Sequence, residues 1–459
     1  MTTRRNFLRN SALGVAGVVS APVAGNTVIK SNDTARLKAG IAREIITPKV
    51  GGLLFGYGSD KPSTSVHDDL TVTALAIEYG TSRVILMSAA VCLISNDLSA
   101  KLRKMCGEAA GVPAAHVILG TTHTHSGPNT SGEYCDEIFI PKCVAAAKAS
   151  VGDMKPVIVG VAKTETLVGI NRRKLLPNDR VTLSHNPWGI YDPEMTVVSF
   201  KEEDGKPLAN IVHCSAHGTA AGINTEITRD WPGVMIDRLD QESGAISIFF
   251  QGMQGDVGPR LSNGEDKGDI RHVMEVGARA AHDAVRAYKD IRVYRDEKMS
   301  VVTGEVKLPH APLLPLEEAR TELAKLEAGT QARFTGESIN VLRKNIELHE
   351  KGETGESFFT YPQTLINIGP IVLIPVPFEA SSEISLRMRA YSKYGHTLPL
   401  GCTNGSNSYL PSQDQICRGG YEVERFKWSG SRQLADNADM HLINGNIQLM
   451  EKLSLLQTV

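Results

Sequence analysis

Two histidines near each other are the residues of this sequence best suited to chemistry. His123 and His125 lie in residues 120–128, which follow the apolar run 117–119. Side chains alternate between the two faces of a strand, so an HxH on a strand points both imidazoles to one face. That arrangement suits one metal ligand beside a proton donor. The surrounding Thr, Ser, Gly and Pro predict a loop leaving the strand, where catalytic groups are common.

The composition is that of a globular protein without an obvious polyanionic partner. The 459 residues suffice for two or three ordinary domains or one large α/β catalytic unit. The hydrophobic content is 41% and the charged content is 22%, which are usual values for soluble domains. Because the net charge is −2, we expect neither nucleic acid nor an anionic membrane surface as a partner.

The first 25 residues have the pattern of a twin-arginine signal peptide. Arg4 and Arg5 precede Asn6-Phe7-Leu8, and an apolar stretch follows over roughly residues 12–23. This stretch is short and rich in Gly and Ala, so a transmembrane helix is not expected. We predict export to a bacterial periplasm or beyond, with no integral membrane segment in the mature chain. The alternative is a basic N-terminal segment without a targeting role.

The seven cysteines do not form a recognisable metal motif. No CxxC occurs, so a zinc ribbon is not supported. Cys135 with Cys143, or Cys402 with Cys417, could pair after export. A large core does not need disulfides, however, and we expect most of the cysteines to be buried free thiols.

The hydrophobic pattern predicts a mixed α/β fold in a single large catalytic domain over residues 39–459. Alternation predicts strands at residues 70–78, 83–88, 114–119, 157–167, 195–200, 208–213 and 246–250, and a double strand at 364–376 that turns at Gly369-Pro370. Helical periodicity predicts helices at residues 95–107, 138–151, 271–288 and 435–453, and a charged helical excursion at 316–353 with breaks at Gly329 and Gly336. Asn96 or Asp97 is the expected cap of the first helix.

Several separated motifs give the chain a family resemblance. From about residue 39 to 426 it resembles the catalytic domain of the neutral/alkaline non-lysosomal ceramidases, with the motifs in that family's order. The matching segments are residues 45–48 (IITP), 56–58 (GYG), 67–70 (HDDL), 120–128 (GTTHTHSGP), 171–172 (NR), 210–218 (NIVHCSAHG), 254–259 (QGDVGP) and 377–379 (PFE), with Tyr409 and Tyr421.

The resemblance implies a zinc cofactor and its ligands. The implied Zn²⁺ ligands are His123, His217, Glu379 and Tyr409. Two imidazoles, one carboxylate and an open position for water make a hydrolytic zinc site. Tyrosine is an unusual ligand, which makes Tyr409 the most dispensable of the four.

The resemblance also implies the residues that line the reacting carbonyl. These are His125, Arg172 and Tyr421. Of the three, His125 and Tyr421 could stabilise the oxyanion of a tetrahedral intermediate. Arg173 is an alternative to Arg172.

Other residues of the motifs have possible structural or supporting roles. His213 lies in the same motif as His217 but falls within the predicted strand, where a core position is expected. Glu379 could instead be a charge at a helix N-terminus. Asp230 could orient a zinc-bound histidine, and Asp256 is expected to hold its loop. Three further polar residues could form a pocket rim or cap a strand: His67, Asp68 and Asp69.

Two departures from the family pattern concern the substrate. The hallmark serine of the family's GDxSP string is Gly258 here, which excludes a serine nucleophile at this position but leaves metal-activated water possible. The chain also ends before the C-terminal β-sandwich of true ceramidases. Both departures bear on ceramide as the substrate more than on hydrolysis.

The leading hypothesis is an exported zinc-dependent hydrolase that cleaves an amide bond with metal-activated water. The expected substrate is a small or lipid-like N-acyl compound. The alternatives are a hydrolase of another bond, ester or glycoside, on the same scaffold, and a metal- or ligand-binding protein that has lost catalysis.

Overall fold

The computed structural model describes residues 35–58, 61–329, 335–428, 430 and 432–456. The predicted signal peptide, residues 1–25, lies outside the described residues. No helix within the described ranges is long and apolar enough to cross a membrane.

Strands and helices alternate irregularly along the chain. Up to residue 165 they are β1 (Lys38–Ile45), β2 (Leu54–Phe55), β3 (Ser65–Val66), β4 (Thr71–Tyr79), β5 (Ser82–Ala89), α1 (Asn96–Ala110), β6 (Val117–Thr121), β7 (Gly127–Pro128), α2 (Gly132–Tyr134), α3 (Ile140–Gly152) and β8 (Lys155–Glu165). The middle of the chain forms β9 (Gly169–Asn171), β10 (Arg173–Leu175), β11 (Val181–Leu183), β12 (Glu194–Glu202), β13 (Pro207–Cys214), β14 (Glu226–Ile227), α4 (Asp230–Ser243), β15 (Ile246–Gln251), β16 (Val257–Pro259), α5 (Ile270–Lys289) and β17 (Met299–Pro309).

The remaining elements complete the fold. They are α6 (Leu316–Glu327), α7 (Thr335–Glu350), β18 (Phe358–Ile368), β19 (Ile371–Pro375), β20 (Glu379–Ala380), α8 (Ser382–Tyr391), β21 (His396–Leu400), β22 (Tyr409–Leu410), α9 (Gln413–Ile416), α10 (Tyr421–Lys427) and α11 (Ala438–Leu455).

Two mixed sheets form the centre of the protein. The larger sheet has the strand order β15-β13-β12-β8-β1-β4-β5-β6, and the smaller has the order β17-β18-β19-β21. In the larger sheet β5 pairs with β6, and β13 with β15, in parallel, while the other pairs are antiparallel. The apolar faces of the two sheets share one core, in which Leu75 and Phe250 of the larger sheet join Ile366 and Leu398 of the smaller.

Helices cover the outer face of each sheet. On the larger sheet, α1 and α3 pack over one half, and α4 and α5 pack over the other half. On the smaller sheet, α11 packs against β17 and β18. The result is a layered α/β fold in a single large domain, which confirms the predicted fold class.

The helix α5 shows how a local sequence signal places an element near the site. Asp269 accepts hydrogen bonds from the backbone N–H groups of Arg271 and His272, and the His272 side chain returns a contact to the backbone of Asp269. This reciprocal capping satisfies the first free N–H groups of the helix. The N-terminus of α5 is thereby fixed at Asp269.

A short segment covers both edge strands of the larger sheet. Residues 401–404 lie between β6 and β15. The backbone N–H of Gly401 donates to the Gln251 carbonyl at 2.9 Å, and that of Thr121 donates to the Cys402 carbonyl at 3.2 Å. Gly120 also pairs with Thr403 in an isolated bridge. The segment therefore bonds to the last residue of each edge strand of this sheet.

Several local predictions differ from the structure. The cap of α1 is Ser95, not Asn96 or Asp97, because Ser95 has an extended backbone and its hydroxyl accepts from the N–H of Leu98 at 3.3 Å. The predicted strand at 114–119 begins only at residue 117, after one 3₁₀ turn. The excursion at 316–353 is a pair of helices, and Gly336 lies inside α7 rather than at a break.

The cysteines are unpaired in the structure. All seven are free thiols, and six of them are buried. Neither Cys135 with Cys143 nor Cys402 with Cys417 forms a disulfide, so both suggested pairings are wrong. Only Cys417 is exposed.

Candidate metal centre and its surroundings

The two histidines of the HxH string lie in a loop, not on a strand. The strand β6 ends at Thr121, and His123 has a left-handed backbone with φ of 61°. The loop is held by backbone hydrogen bonds from His123 N–H to the Val91 carbonyl (3.1 Å) and from His125 N–H to the Gly218 carbonyl (3.3 Å). The imidazoles do meet, with 3.3 Å between their Nε2 atoms. The backbone turn at His123, rather than strand alternation, brings them together.

The other predicted ligands come from three further segments. His217 follows the end of β13, and its N–H donates to the Val257 carbonyl at 3.0 Å. Glu379 opens the strand β20, which pairs in parallel with β22, so that Glu379 lies directly beside Tyr409. Four separate parts of the chain thus supply the four predicted ligands.

Three ligand atoms converge at one point. The Oε2 atom of Glu379 lies 3.3 Å from His123 Nε2 and 3.1 Å from His217 Nε2. The three side chains are buried, and their ligand atoms lie within 4.8 Å of one another. Two imidazoles and one carboxylate at this spacing form a set that could hold a metal ion.

The opposite edges of both imidazoles are engaged by backbone carbonyls. His123 Nδ1 lies 2.9 Å from the Cys92 carbonyl oxygen, and His217 Nδ1 lies 3.0 Å from the Val257 carbonyl oxygen. A carbonyl oxygen only accepts, so each Nδ1 carries the proton and donates it. In the neutral rings the Nε2 lone pairs then face the Glu379 carboxylate. Acceptors that face one another need a proton or a cation between them, so these residues fit a metal ion.

The electrostatics of the cluster also favour a positive charge. Burial disfavours the ionised form of Glu379, yet His123 and His217 hold the pKa of Glu379 well below its usual value. Burial likewise opposes charge on His123, but the Glu379 carboxylate and nearby thiols raise the pKa of His123 well above its usual value. Burial and Arg172 lower the pKa of His217 to about 4. The cluster therefore stabilises a single cation near Glu379.

A second group of possible ligands borders the first. The Cys92 thiol lies 4.0 Å from His123 Nδ1, and His125 completes this group. Burial raises the pKa of Cys92, so its thiol stays protonated and is a poor metal ligand. His123 Nδ1 is also already engaged by a carbonyl. The group with Glu379 is therefore the better candidate.

The predicted catalytic residues surround the cluster. The ring of His125 contacts that of Tyr57 edge-on, with centroids 4.8 Å apart. Arg172 Nη2 donates to the Tyr409 hydroxyl at 3.1 Å, and this hydroxyl lies 3.4 Å from His217 Nε2. The ring of Tyr421 meets the ring of Tyr409 edge-on at 5.4 Å. The structure thus brings all seven predicted residues together; their individual roles stay predictions.

The alternatives in the same motifs lie elsewhere. His213 is buried in β13, and its Nε2 lies 2.9 Å from the Pro399 carbonyl oxygen. Arg173 binds Glu422 Oε2 and the Gly419 carbonyl, both at 2.6 Å, and points away from Tyr409. His217 and Arg172 are therefore the members of each pair that reach the cluster.

The acidic residues of the motifs hold loops. Asp230 accepts from the N–H groups of Ala220 and Ala221, at 3.0 and 2.9 Å, just after His217. It binds no imidazole, so the prediction that Asp230 orients a histidine ring is wrong. The ring of His217 is oriented instead by the Val257 carbonyl oxygen, which accepts from its Nδ1.

Two other carboxylates have comparable structural roles. Asp256 accepts from Ser382 N–H at 2.7 Å and from Gln415 Nε2 at 2.8 Å, which confirms that it holds its loop. Asp68 accepts from the Thr228 hydroxyl at 2.6 Å and from Arg229 N–H at 2.8 Å. It therefore fastens the loop before α4.

Sequence reasoning missed three residues beside the site. Glu422 accepts from Arg172 Nε at 3.0 Å, and Tyr57 packs on His125. Tyr57 belongs to the motif GYG at residues 56–58, and Glu422 follows Tyr421, so the family motifs already pointed to both. Asp266 lies close to Gly258: a Cβ atom built on Gly258 would be 3.1 Å from Asp266 Oδ1. No motif includes Asp266, so its proximity follows only from the fold.

Comparison with solved structures identifies the fold. The neutral ceramidase from Pseudomonas aeruginosa matches with a TM-score of 0.69 and 18% identity, over 92% of this chain and 75% of that chain. A ceramidase complexed with C2 matches with a TM-score of 0.68 and 17% identity, over the same shares of the two chains. No protein-family profile and no curated protein sequence matches the chain. The chain therefore has a neutral-ceramidase-like fold, as the motif resemblance predicted.

Proposed function

We propose that this protein is a zinc-dependent hydrolase that cleaves the amide bond of an N-acyl compound with metal-activated water. The observation that carries the proposal is the convergence of His123 Nε2 and His217 Nε2 on Glu379 Oε2, at 3.3 and 3.1 Å. Carbonyl partners on both Nδ1 atoms present the Nε2 lone pairs to this point. The ceramidase fold supports the same reaction class.

In this proposal the chain supplies four ligands. His123, His217 and Glu379 hold the metal, and the Tyr409 hydroxyl, 3.4 Å from His217 Nε2, is the fourth. When bound, zinc supplies Lewis acidity that acidifies water and polarises a carbonyl oxygen. Burial of the ligands keeps this charge in a low-dielectric environment, where its effect on a substrate is stronger than in water.

The remaining residues would bind and polarise the scissile carbonyl. His125 lies on the Tyr57 side of the cluster, whereas Arg172 and Tyr421 lie on the Tyr409 side. A carbonyl placed between these sides has hydrogen-bond donors in two directions. Preorganised donors of this kind stabilise the negative charge that develops on the carbonyl oxygen during hydrolysis.

The structural neighbours support an amide substrate, because they are ceramidases. Gly258 provides no hydroxyl group, so the proposed reaction uses water as the nucleophile. The same residue supports a second candidate function, a metal-binding protein without catalysis.

We also propose export through the twin-arginine route, supported by Arg4 and Arg5 and the apolar stretch that follows.

The test compares the purified chain with His217→Ala. We expect about one zinc per chain in the wild type, and loss of both zinc and amide hydrolysis in the variant. His213→Gln is the matched control, since His213 lies in the same motif but outside the cluster, and it should retain both. Mass spectrometry of the products then identifies the bond, because amide hydrolysis releases an acid and an amine.

The other outcomes are equally informative. Zinc without turnover of amides, esters or glycosides would favour the non-catalytic candidate. Release of an alcohol or a sugar instead of an amine would identify another bond. If His217→Ala kept both zinc and hydrolysis, the assignment of the cluster would be wrong.

A further inference from the structure

One carboxylate at the site has no hydrogen-bond partner among the residues that the structure describes. Asp266 lies in the turn between β16 and α5 and is partly buried. Within the described residues, the structure gives its carboxylate no hydrogen bond and no ion pair; its surroundings act on it through burial and through charge at a distance. Asp256, Asp230 and Glu422, by contrast, are all held by direct hydrogen bonds.

The neighbouring cations are committed elsewhere. Arg172 uses Nε for Glu422 and Nη2 for Tyr409. The Lys267 ammonium lies 5.6 Å from the centroid of the Tyr57 ring, over its face. Burial raises the pKa of Asp266, and the nearby charges of Arg172, His185 and Lys267 oppose this effect.

Gly258 lets this carboxylate lie close to the strand β16. It lies on β16 opposite Ile170 of β9, and its missing side chain would point at Asp266. A Cβ atom there would lie 3.1 Å from Asp266 Oδ1 and 3.6 Å from Arg172 Cβ. The Asp266 carboxylate therefore lies against Gly258, next to the aliphatic stem of the arginine that binds Tyr409.

We propose that Asp266 is a specificity-determining residue, which accepts a hydrogen bond from an N–H or O–H group of the substrate beside Arg172. The inference rests on the proposed hydrolase function. It narrows the substrate to N-acyl compounds that carry a hydrogen-bond donor close to the scissile amide. A site built to bind such a donor rejects analogues without it, because the carboxylate would be desolvated and left unpaired.

The experiment uses two amides that differ in one hydroxyl group. An N-acylethanolamine and the N-ethyl amide of the same fatty acid are compared on the zinc-loaded protein. We expect the wild type to prefer the hydroxylated amide by about tenfold to hundredfold in kcat/KM, the range for a charge-assisted hydrogen bond. Asp266→Ala and Asp266→Asn should lose this preference, mainly by raising KM for the hydroxylated amide, with unchanged zinc content.

The neighbouring Glu265 provides the matched control. It is exposed, and Glu265→Gln removes one negative charge from the same turn, so it should keep the preference. Gly258→Ser is an independent test, because the new side chain would crowd the Asp266 carboxylate and its hydroxyl could bond to it. This variant should also lose the preference.

The outcomes separate the two proposals. Equal use of both amides by the wild type, or an unchanged preference in Asp266→Ala, would overturn the role of Asp266 while hydrolysis itself stands. If neither amide is hydrolysed, the proposed function fails on these substrates. The role of Asp266 is then tested by measuring the affinity of the protein for each amide with titration calorimetry. Tighter binding of the hydroxylated amide in the wild type, lost in Asp266→Ala, would support it, and the absence of any difference would overturn it.

Discussion

Arg172 and Tyr409 are joined by a hydrogen bond of 3.1 Å from the guanidinium Nη2 to the phenol oxygen. The same guanidinium binds Glu422 through Nε, and the phenol reaches His217. Burial opposes the charge on Arg172, but Tyr409 and Glu422 outweigh it and raise the pKa of Arg172 well above its usual value. A continuous set of polar contacts thus connects a buried ion pair to the candidate metal centre.

Glu422 should be important for stability. Its carboxylate binds Arg172 at 3.0 Å and Arg173 at 2.6 Å, and all three side chains are buried. Glu422→Gln would remove the negative charge that both buried guanidinium groups bind directly. We expect the free energy of unfolding, measured with urea, to fall by about 3–5 kcal/mol.

A control for this variant lies two residues further along α10. Glu424 is exposed, so Glu424→Gln should change the free energy of unfolding by about 0.5 kcal/mol or less. If the two substitutions changed the free energy of unfolding equally, the buried ion pairs of Glu422 would stabilise the protein no more than a surface charge does.

The two tyrosines should differ in what they affect. Tyr409 contacts His217, whereas Tyr421 contacts the ring of Tyr409. Tyr409→Phe should therefore weaken zinc affinity by about tenfold to hundredfold. Tyr421→Phe should leave zinc affinity unchanged and lower kcat by about 100- to 1000-fold, the effect of removing one oxyanion donor. Metal titration with a competing chelator, together with kinetics of both variants, checks the distinction; the reverse pattern would exchange the two assignments.

The buried His213 should make stability depend on pH. Burial, assisted by Arg389, lowers the pKa of His213 to about 4, below its unfolded value near 6.5. Between these values the unfolded chain binds more protons, so this contribution is complete above about pH 6.5 and is lost as the pH falls towards 4. In His213→Gln the loss of stability from pH 7 to 4 should be smaller by on the order of 3 kcal/mol.

Urea unfolding of metal-free wild type and variant at several pH values measures this difference. Glutamine keeps a donor for the Pro399 carbonyl, which limits the other effects of the substitution. Parallel pH profiles for the two proteins would show that His213 is not the responsible group.

The thiols offer a direct test of the cysteine assignment. Since only Cys417 is exposed, one thiol per chain should react rapidly with a thiol reagent in the native protein. All seven should react in denaturant without reductant. Cys417→Ser should remove the native reaction, and fewer than seven reactive thiols in the denatured wild type would reveal a disulfide.

The motifs predicted which residues meet at the cluster, and there is a physical reason for this. Residues that meet at one point must lie near the ends of core elements, and the strands that carry them have clear hydrophobic patterns. His217 follows β13, and Glu379 follows β19 by a few residues. The family resemblance then supplied the order in which these segments come together.

Other features were beyond the reach of sequence patterns. The left-handed backbone of His123 is unusual for a residue with a side chain, and nothing in the string HTH signals it. Asp266 lies in a polar turn of ordinary composition, and its position beside Gly258 depends on how β16 and α5 pack. The cap at Ser95 was missed by one residue because two good capping residues follow it.

The segment 401–404 has a consequence for the protein in solution. Exposed edge strands present rows of free N–H and C=O groups, onto which another chain can add a strand. Here Thr121 and Gln251, on the two edge strands, already bond to this segment. The Thr121 N–H and the Gln251 carbonyl are therefore not free to pair with a strand of another molecule.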